Sequence, residues 1–223
     1  MCGRFVLFSS LDDIVQEFEI ERVQAQLRPS YNVAPTQEVA VVVRDQGVNV
    51  LDKMVWGLIP SWARDPAIGS RMINARSETV HEKPSFKGPF KSQRCLIVAD
   101  GFYEWQKTDS TKVPMFVRLR SRRPFGLAGL YDVWKARAGE KITSCTIITT
   151  NANYLVRPIH NRMPVILSQS DQAVWLDAAP QPTERLLSLL APYPAGQMEA
   201  YAVSRMVNSP ENDDPRCIEP VEG

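Results

Sequence analysis

Apolar positions along this chain fall in many short runs separated by turn-forming residues. Phe5-Val-Leu-Phe8 predicts a short strand. Leu11, Ile14, Val15 and Phe18 then repeat at helical spacing behind Ser9 or Ser10, which predicts a capped helix through Phe18. Two β-rich runs follow, Val39-Ala-Val-Val-Val43 and Val48 to Trp56. Arg44-Asp-Gln-Gly47 between them predicts a hairpin. Further strands are expected at 95–99, 115–119, 126–131, 143–149 and 165–167, helices at 170–176 and 183–190, and a closing strand at 201–204. Many strands with a few short helices predict an α+β fold with a mixed, barrel-like β-sheet core and short flanking helices. The regular βαβ alternation of a doubly wound fold is absent. No internal repeat, low-complexity tract or linker divides the chain, so residues 1–223 are expected to form a single domain.

Composition refines this picture. Seventeen prolines against eleven glycines favour fixed turns over long helices. The net charge of +1 does not by itself name a nucleic-acid partner. Its distribution is uneven: positions 64–123 hold 13 Lys+Arg against 6 Asp+Glu, whereas the first thirty residues sum to −2 and the segment from 205 onwards to −3. A basic middle between acidic ends fits a local phosphate-binding face, and equally a solvated surface.

The four cysteines, Cys2, Cys95, Cys145 and Cys217, are too dispersed for a zinc-type pair or a secreted disulfide scaffold. Cys95 and Cys145 lie in apolar runs and are expected in the core. The apolar run near the start is too short for a signal peptide, and no stretch reaches membrane-spanning length. The expectation is a reduced, cytoplasmic protein with no membrane association.

Four places could carry chemistry. Removal of Met1 would leave Cys2 with an α-amine and a thiol on adjacent carbons. Both groups are partly in nucleophilic form near neutral pH in ordinary peptides. Such a 1,2-aminothiol condenses with an aldehyde to a Schiff base and closes to a thiazolidine; the alternative is an incidental cysteine. Ile73-Asn74-Ala75-Arg76-Ser77-Glu78 combines an amide that could orient a reacting group with a cation that could hold phosphate, or it is a helix start with solvated charges. In Val98-Ala-Asp-Gly-Phe-Tyr-Glu-Trp105, Glu104 sits among rings, where desolvation would raise its pKa and suit acid/base work. Two-residue alternation puts Phe102 on its face and Tyr103 and Trp105 on the other; a surface glutamate on a strand edge is the alternative. Pro158-Ile-His-Asn-Arg-Met-Pro164 holds His160, able to pass a proton or simply to hydrogen-bond structurally. His81, in a polar stretch, reads as surface. Trp56 and Trp62 flank a Gly/Pro-containing turn; Trp56 reads as core, and one of the pair could stack on a base.

Taken together, these pieces resemble the SRAP family (SOS response-associated peptidase; abasic-site processing proteins). The resemblance rests on Cys2-Gly-Arg-Phe5, Tyr31-Asn-Val-Ala-Pro35, Trp56-Gly-Leu, Ile73-Asn-Ala-Arg76, Ala99-Asp-Gly-Phe-Tyr-Glu-Trp105, Ile159-His-Asn-Arg-Met-Pro164 and Val203-Ser-Arg205, in that order. It implies a sensor of abasic sites in single-stranded DNA that forms a covalent thiazolidine crosslink through Cys2. It also implies a peptidase-like removal of Met1 and lyase-like chemistry on DNA. On that resemblance Cys2 is the nucleophile, Asn74 positions the sugar and the α-amine, Glu104 is the acid/base, and His160 promotes opening of the sugar ring. Arg4, Arg76 and Arg162 match phosphate-holding cations; Asn32, Pro35 and Trp62 match positions that shape the groove. Ala63 departs from members that carry a second tryptophan there.

No metal or organic cofactor is implied. The implied partner is abasic single-stranded DNA, with replication-fork proteins as further company for a monomer that is nucleoid-associated when engaged. Two other classes remain open on the residues alone: a cysteine peptidase with an N-terminal nucleophile, and a non-catalytic single-strand-binding module.

Overall fold

The structure is a computed structural model, and it describes residues 2–109, 111–136, 139–177 and 179–221. Its strands are β1 (Phe5–Leu7), β2 (Ile20–Val23), β3 (Ser30–Val33), β4 (Glu38–Asp45), β5 (Val48–Trp56), β6 (Asn74–Arg76), β7 (Arg94–Ala99), β8 (Gly101–Lys107), β9 (Lys112–Leu119), β10 (Phe125–Lys135), β11 (Lys141–Asn151), β12 (Arg162–Pro164), β13 (Ile166–Leu167) and β14 (Met198–Ala202). Its helices are α1 (Leu11–Glu17), α2 (Pro84–Ser92), α3 (Gln169–Leu176) and α4 (Thr183–Ser188).

Five strands close on themselves. β4 pairs with β5 and β7, β7 with β10, β10 with β11, and β11 returns to β5 through a parallel pairing of Ser144 with Val55 and Cys145 with Trp56. All five ring positions are thereby hydrogen-bonded on both sides, which removes the exposed edges of an open sheet. The fold is thus the α+β, barrel-centred arrangement that the strand pattern predicts. A second sheet, ordered β14-β9-β8-β1-β3, lies beside the barrel.

Alternation sorts the barrel residues into two cores. Val39, Val41, Met54, Trp56, Cys95, Ile97, Leu127, Cys145 and Ile147 form one continuous apolar cluster together with Cys2 and Phe102. Their neighbours one position along, such as Ala40, Val42, Leu51, Leu96, Val98, Leu130 and Ile148, face a second cluster with Ile14, Phe90, Trp175 and Leu186 from the four helices. Trp56, Cys95 and Cys145 are buried as expected.

The strand expected at 95–99 is β7. It stops at Asp100, whose carboxylate accepts the main-chain N–H groups of Phe8 and Ser9 at 2.6 and 2.8 Å, and the chain crosses into the second sheet. Of the strand expected at 165–167 only Ile166–Leu167 form one, β13, and the closing strand lies at Met198–Ala202 rather than 201–204. His81 is half-buried near the Phe90 ring, with Nε2 3.3 Å from Glu82, rather than on the open surface. Among the described residues no helix is long and apolar enough to cross a membrane.

Candidate active site around Cys2

The nucleophile candidate sits where the two sheets meet. β1 runs antiparallel to β8, with Phe5 opposite Phe102 and Val6 opposite Gly101. The Tyr103 N–H donates to the Arg4 carbonyl at 3.0 Å, carrying the same register one residue further. Cys2 and Gly3 are therefore delivered beside Glu104. On the other side, β6 runs parallel to β11, pairing Asn74 with Ile147. Asn74 is half-buried there, and its Nδ2 donates to the Cys2 carbonyl at 2.8 Å. The cluster at 73–78 is thus a strand against the barrel, not a helix start.

Cys2 is fully buried, and its thiol contacts the Arg4 carbonyl only at 3.9 Å. Burial first, and the Glu104 carboxylate second, push the thiol far above the ordinary cysteine range.

Glu104 is 4% exposed, not a surface residue on a strand edge. Desolvation raises its pKa above the ordinary carboxylate value of 4.5, and the His160 imidazole pulls it partly back. Glu104 Oε1 lies 3.9 Å from His160 Nδ1. As expected, Phe102 is packed in the core with Cys2 on this side, while Tyr103 joins a separate cluster with Phe116 and Val207.

His160 lies on a turn spanning 152–160. Asn153 caps that turn, its Oδ1 accepting from the N–H groups of Leu155 and Val156 at 3.1 and 3.0 Å. The turn seats on β8 where Gln106 Nε2 donates to the Pro158 carbonyl at 3.3 Å. His160 Nδ1 lies 3.0 Å from the Arg162 N–H and 3.2 Å from the Arg162 carbonyl oxygen, which fix the ring in place.

The six remaining residues are placed differently from one another. Arg76 is exposed, and Trp62 is 60% exposed at the tip of a loop. That loop is fastened by the Ser61 N–H to Asp132 Oδ2 at 2.7 Å and by Trp134 Nε1 to the Ala63 carbonyl at 2.8 Å. Pro35 is half-buried beside Thr36, which has a φ of 74°. Arg162 points inward: it grips the Glu78 carboxylate with two nitrogens and donates to the Thr149 carbonyl at 2.6 Å. Arg4 Nη1 donates to Asn32 Oδ1 at 2.7 Å and to the Val207 carbonyl at 2.9 Å. Asn32 is 1% exposed, so it shapes the site from beneath. Glu78, Asn153 and Gln106 were not singled out as partners by sequence reasoning; Glu78 and Arg162 are 84 positions apart, and nothing in either local pattern links them.

Cys2 thus lies in the barrel's apolar cluster with the Asn74 amide on its carbonyl, Glu104 beside it and the His160 imidazole against Glu104, a candidate thiol-centred site at the second residue. The chain belongs to the SOS response associated peptidase (SRAP) family, whose model matches residues 1–210. It is 50% identical over 222 residues to the abasic site processing protein YoqW of Bacillus subtilis (strain 168), covering 98% of this chain and 99% of that one. It is 37% identical to the abasic site processing protein HMCES of Gallus gallus, over 89% of this chain and 68% of that one. A crystal structure of a Bacteroides thetaiotaomicron protein superposes with a TM-score of 0.90 at 27% identity, covering 99% and 100% of the two chains.

Proposed function

We propose that this chain senses abasic sites in single-stranded DNA and captures them covalently through Cys2 after loss of Met1. The observation that carries the reading is a chain of contacts at the second residue: the Asn74 amide on the Cys2 carbonyl, Glu104 beside Cys2 across the β1–β8 pairing, and His160 3.9 Å from Glu104. The names of the relatives point to the same substrate.

The chemistry follows from the environment of each group. An abasic sugar is mostly a closed hemiacetal, so His160 assists ring opening by moving the proton of the anomeric hydroxyl. The Cys2 α-amine, held through the Asn74 contact, adds to the C1′ aldehyde and forms a carbinolamine. Glu104, whose pKa burial raises, acts as the acid and gives a proton to the departing hydroxyl, which leaves as water. The thiol then adds to C1′ of the iminium and returns its proton to Glu104. One C–N and one C–S bond form, the C–O bond breaks, one water is released, and Glu104 ends as it began. The basic residues of the middle segment, Arg76 among them, supply sequence-independent affinity for the strand, and Trp62 offers a stacking surface.

Intact mass spectrometry with a uracil-excised single-stranded oligonucleotide tests the reading. The expected species is the chain lacking Met1 plus the oligonucleotide minus one water, absent in Cys2→Ala. A chain that keeps Met1 and still gives a denaturation-resistant adduct at full yield contradicts it.

A further inference from the structure

The geometry points to the C-terminal tail, residues 209–221, as a clamp that positions Cys2 for reaction, with Asn32 as the link between the two ends of the chain.

Asn32 uses both ends of its amide. Its oxygen accepts from Arg4 at 2.7 Å; its nitrogen donates to the carbonyls of Ser209 and Asn212 at 2.8 and 2.6 Å, with Val207 at 3.3 Å. The tail is fastened to the same strand a second time, because the Asp213 carboxylate accepts from the Tyr31 N–H and from Ser30 Oγ. Tyr201 Oη holds the Ile218 carbonyl at 3.0 Å, and Val203 bridges Pro220. Tyr103 Oη reaches the carbonyls of Tyr31 and Cys217, so the neighbour of Glu104 is tied to the tail as well. Arg4 is held at both ends: its carbonyl by the Tyr103 N–H, its guanidinium by Asn32 and the Val207 carbonyl. Only Gly3 separates it from Cys2 in the sequence.

The consequence for rate follows from tolerance. A displacement of about 1 Å in a reacting group can cost a factor of about 100 in rate. Residues 211–221 lie beyond the stretch matched by the family model, yet they close the hydrogen bonds of Asn32. Arg4 and Asn32 are therefore positioning residues, and the tail sets the rate of capture rather than affinity for DNA. The kinetic part of this inference rests on the proposed crosslinking reaction; the structural part stands without it.

The test compares the wild type with Asn32→Ala, Asp213→Ala and a chain ending at Pro210. Crosslinking to an abasic oligonucleotide is followed over a range of DNA concentrations and salt. Amide hydrogen exchange is measured on the free proteins. The expected result is a limiting rate lowered roughly ten- to hundredfold, an unchanged half-saturating DNA concentration and salt slope, and faster exchange at residues 3–7. Asn32→Asp, which keeps an acceptor for Arg4 but loses the donor to the tail carbonyls, should show the same loss as Asn32→Ala; full recovery of the rate overturns the role of the tail. Unchanged exchange at residues 3–7 in Asn32→Ala and Asp213→Ala overturns the clamp. So does a weaker DNA affinity with a smaller salt slope at full limiting rate, since Arg4 and Asn32 would then act on DNA directly. If the wild type forms no adduct, the crosslinking reading fails, while hydrogen exchange still decides the clamp.

Discussion

The side-chain amide of Asn74 holds the main-chain carbonyl of Cys2 at 2.8 Å, across 72 positions of sequence. The contact joins the strand that leans on the barrel to the segment that enters from the second sheet, and it engages the carbonyl of Cys2 rather than its thiol. On the proposed reaction, such a contact orients Cys2 without occupying its thiol.

Asn74→Ala is expected to lower the limiting crosslinking rate about ten- to hundredfold by releasing the Cys2 backbone. The loss of one half-buried hydrogen bond should cost only about 0.5–1.5 kcal/mol of stability. Single-turnover crosslinking beside a urea titration checks the separation; equal losses in both would mean that Asn74 serves the fold alone.

Glu104→Gln is expected to slow adduct formation by about 10²–10⁴, the usual contribution of a positioned acid/base. The substitution also has a signature in stability. Because burial raises the pKa of this carboxyl on folding, the folded chain binds more protons than the unfolded one between the ordinary value of 4.5 and the raised one. Stability contributed by Glu104 therefore falls as pH rises through that window. Glu104→Gln should flatten this decline, which denaturant melts across the window will show. A steeper decline in the variant would reverse the assignment.

Arg76 and Trp62 are the predicted contacts that lie open to a strand. Arg76→Ala should weaken single-strand binding and reduce the salt slope by about 0.7, the loss of one phosphate contact. Trp62→Ala should lose about 1–3 kcal/mol of affinity with no change in that slope, because stacking releases no counterion. Fluorescence anisotropy at several salt concentrations distinguishes the two. A smaller salt slope in Trp62→Ala would refute the stacking role.

The loop that carries Trp62 begins at Gly57, where φ is 133° and an added Cβ would lie 2.6 Å from the Gly69 carbonyl oxygen. No L side chain fits that conformation or that space. Gly57→Ala should destabilise the chain by about 1–3 kcal/mol, measured by denaturant unfolding, and should displace the Trp62 loop enough to reduce strand affinity.

Local pattern was sufficient for the elements whose own residues determine them. The helix α1 with Ile14 buried and Phe18 just past its end, the hairpin of β4 and β5, and the buried runs of β7, β10 and β11 follow from periodicity and turn chemistry, whereas Leu11, expected on the same apolar face, is exposed. So does the α+β class. The motifs around Cys2, Asn74, Glu104 and His160 were equally visible, because each has an unusual residue set within a few positions. Elements made by distant partners were hidden. α2 holds Pro84, Gly88 and Pro89 in nine residues and forms because Phe90 packs against Trp175. β6 is three residues long and is a strand only because β11 offers it an edge.

Residue types at close spacing were thus enough to indicate which groups could react, since chemical character is local. The closure of the barrel, the burial of Glu104, the turning inward of Arg4 and Arg162, and the grip of the tail on Asn32 were decided by tertiary structure. Each depends on which surfaces exclude water and which donors meet which acceptors across 28 to 180 positions of chain. Desolvation and hydrogen-bond pairing are properties of the packed whole, and no local stretch of sequence carries them.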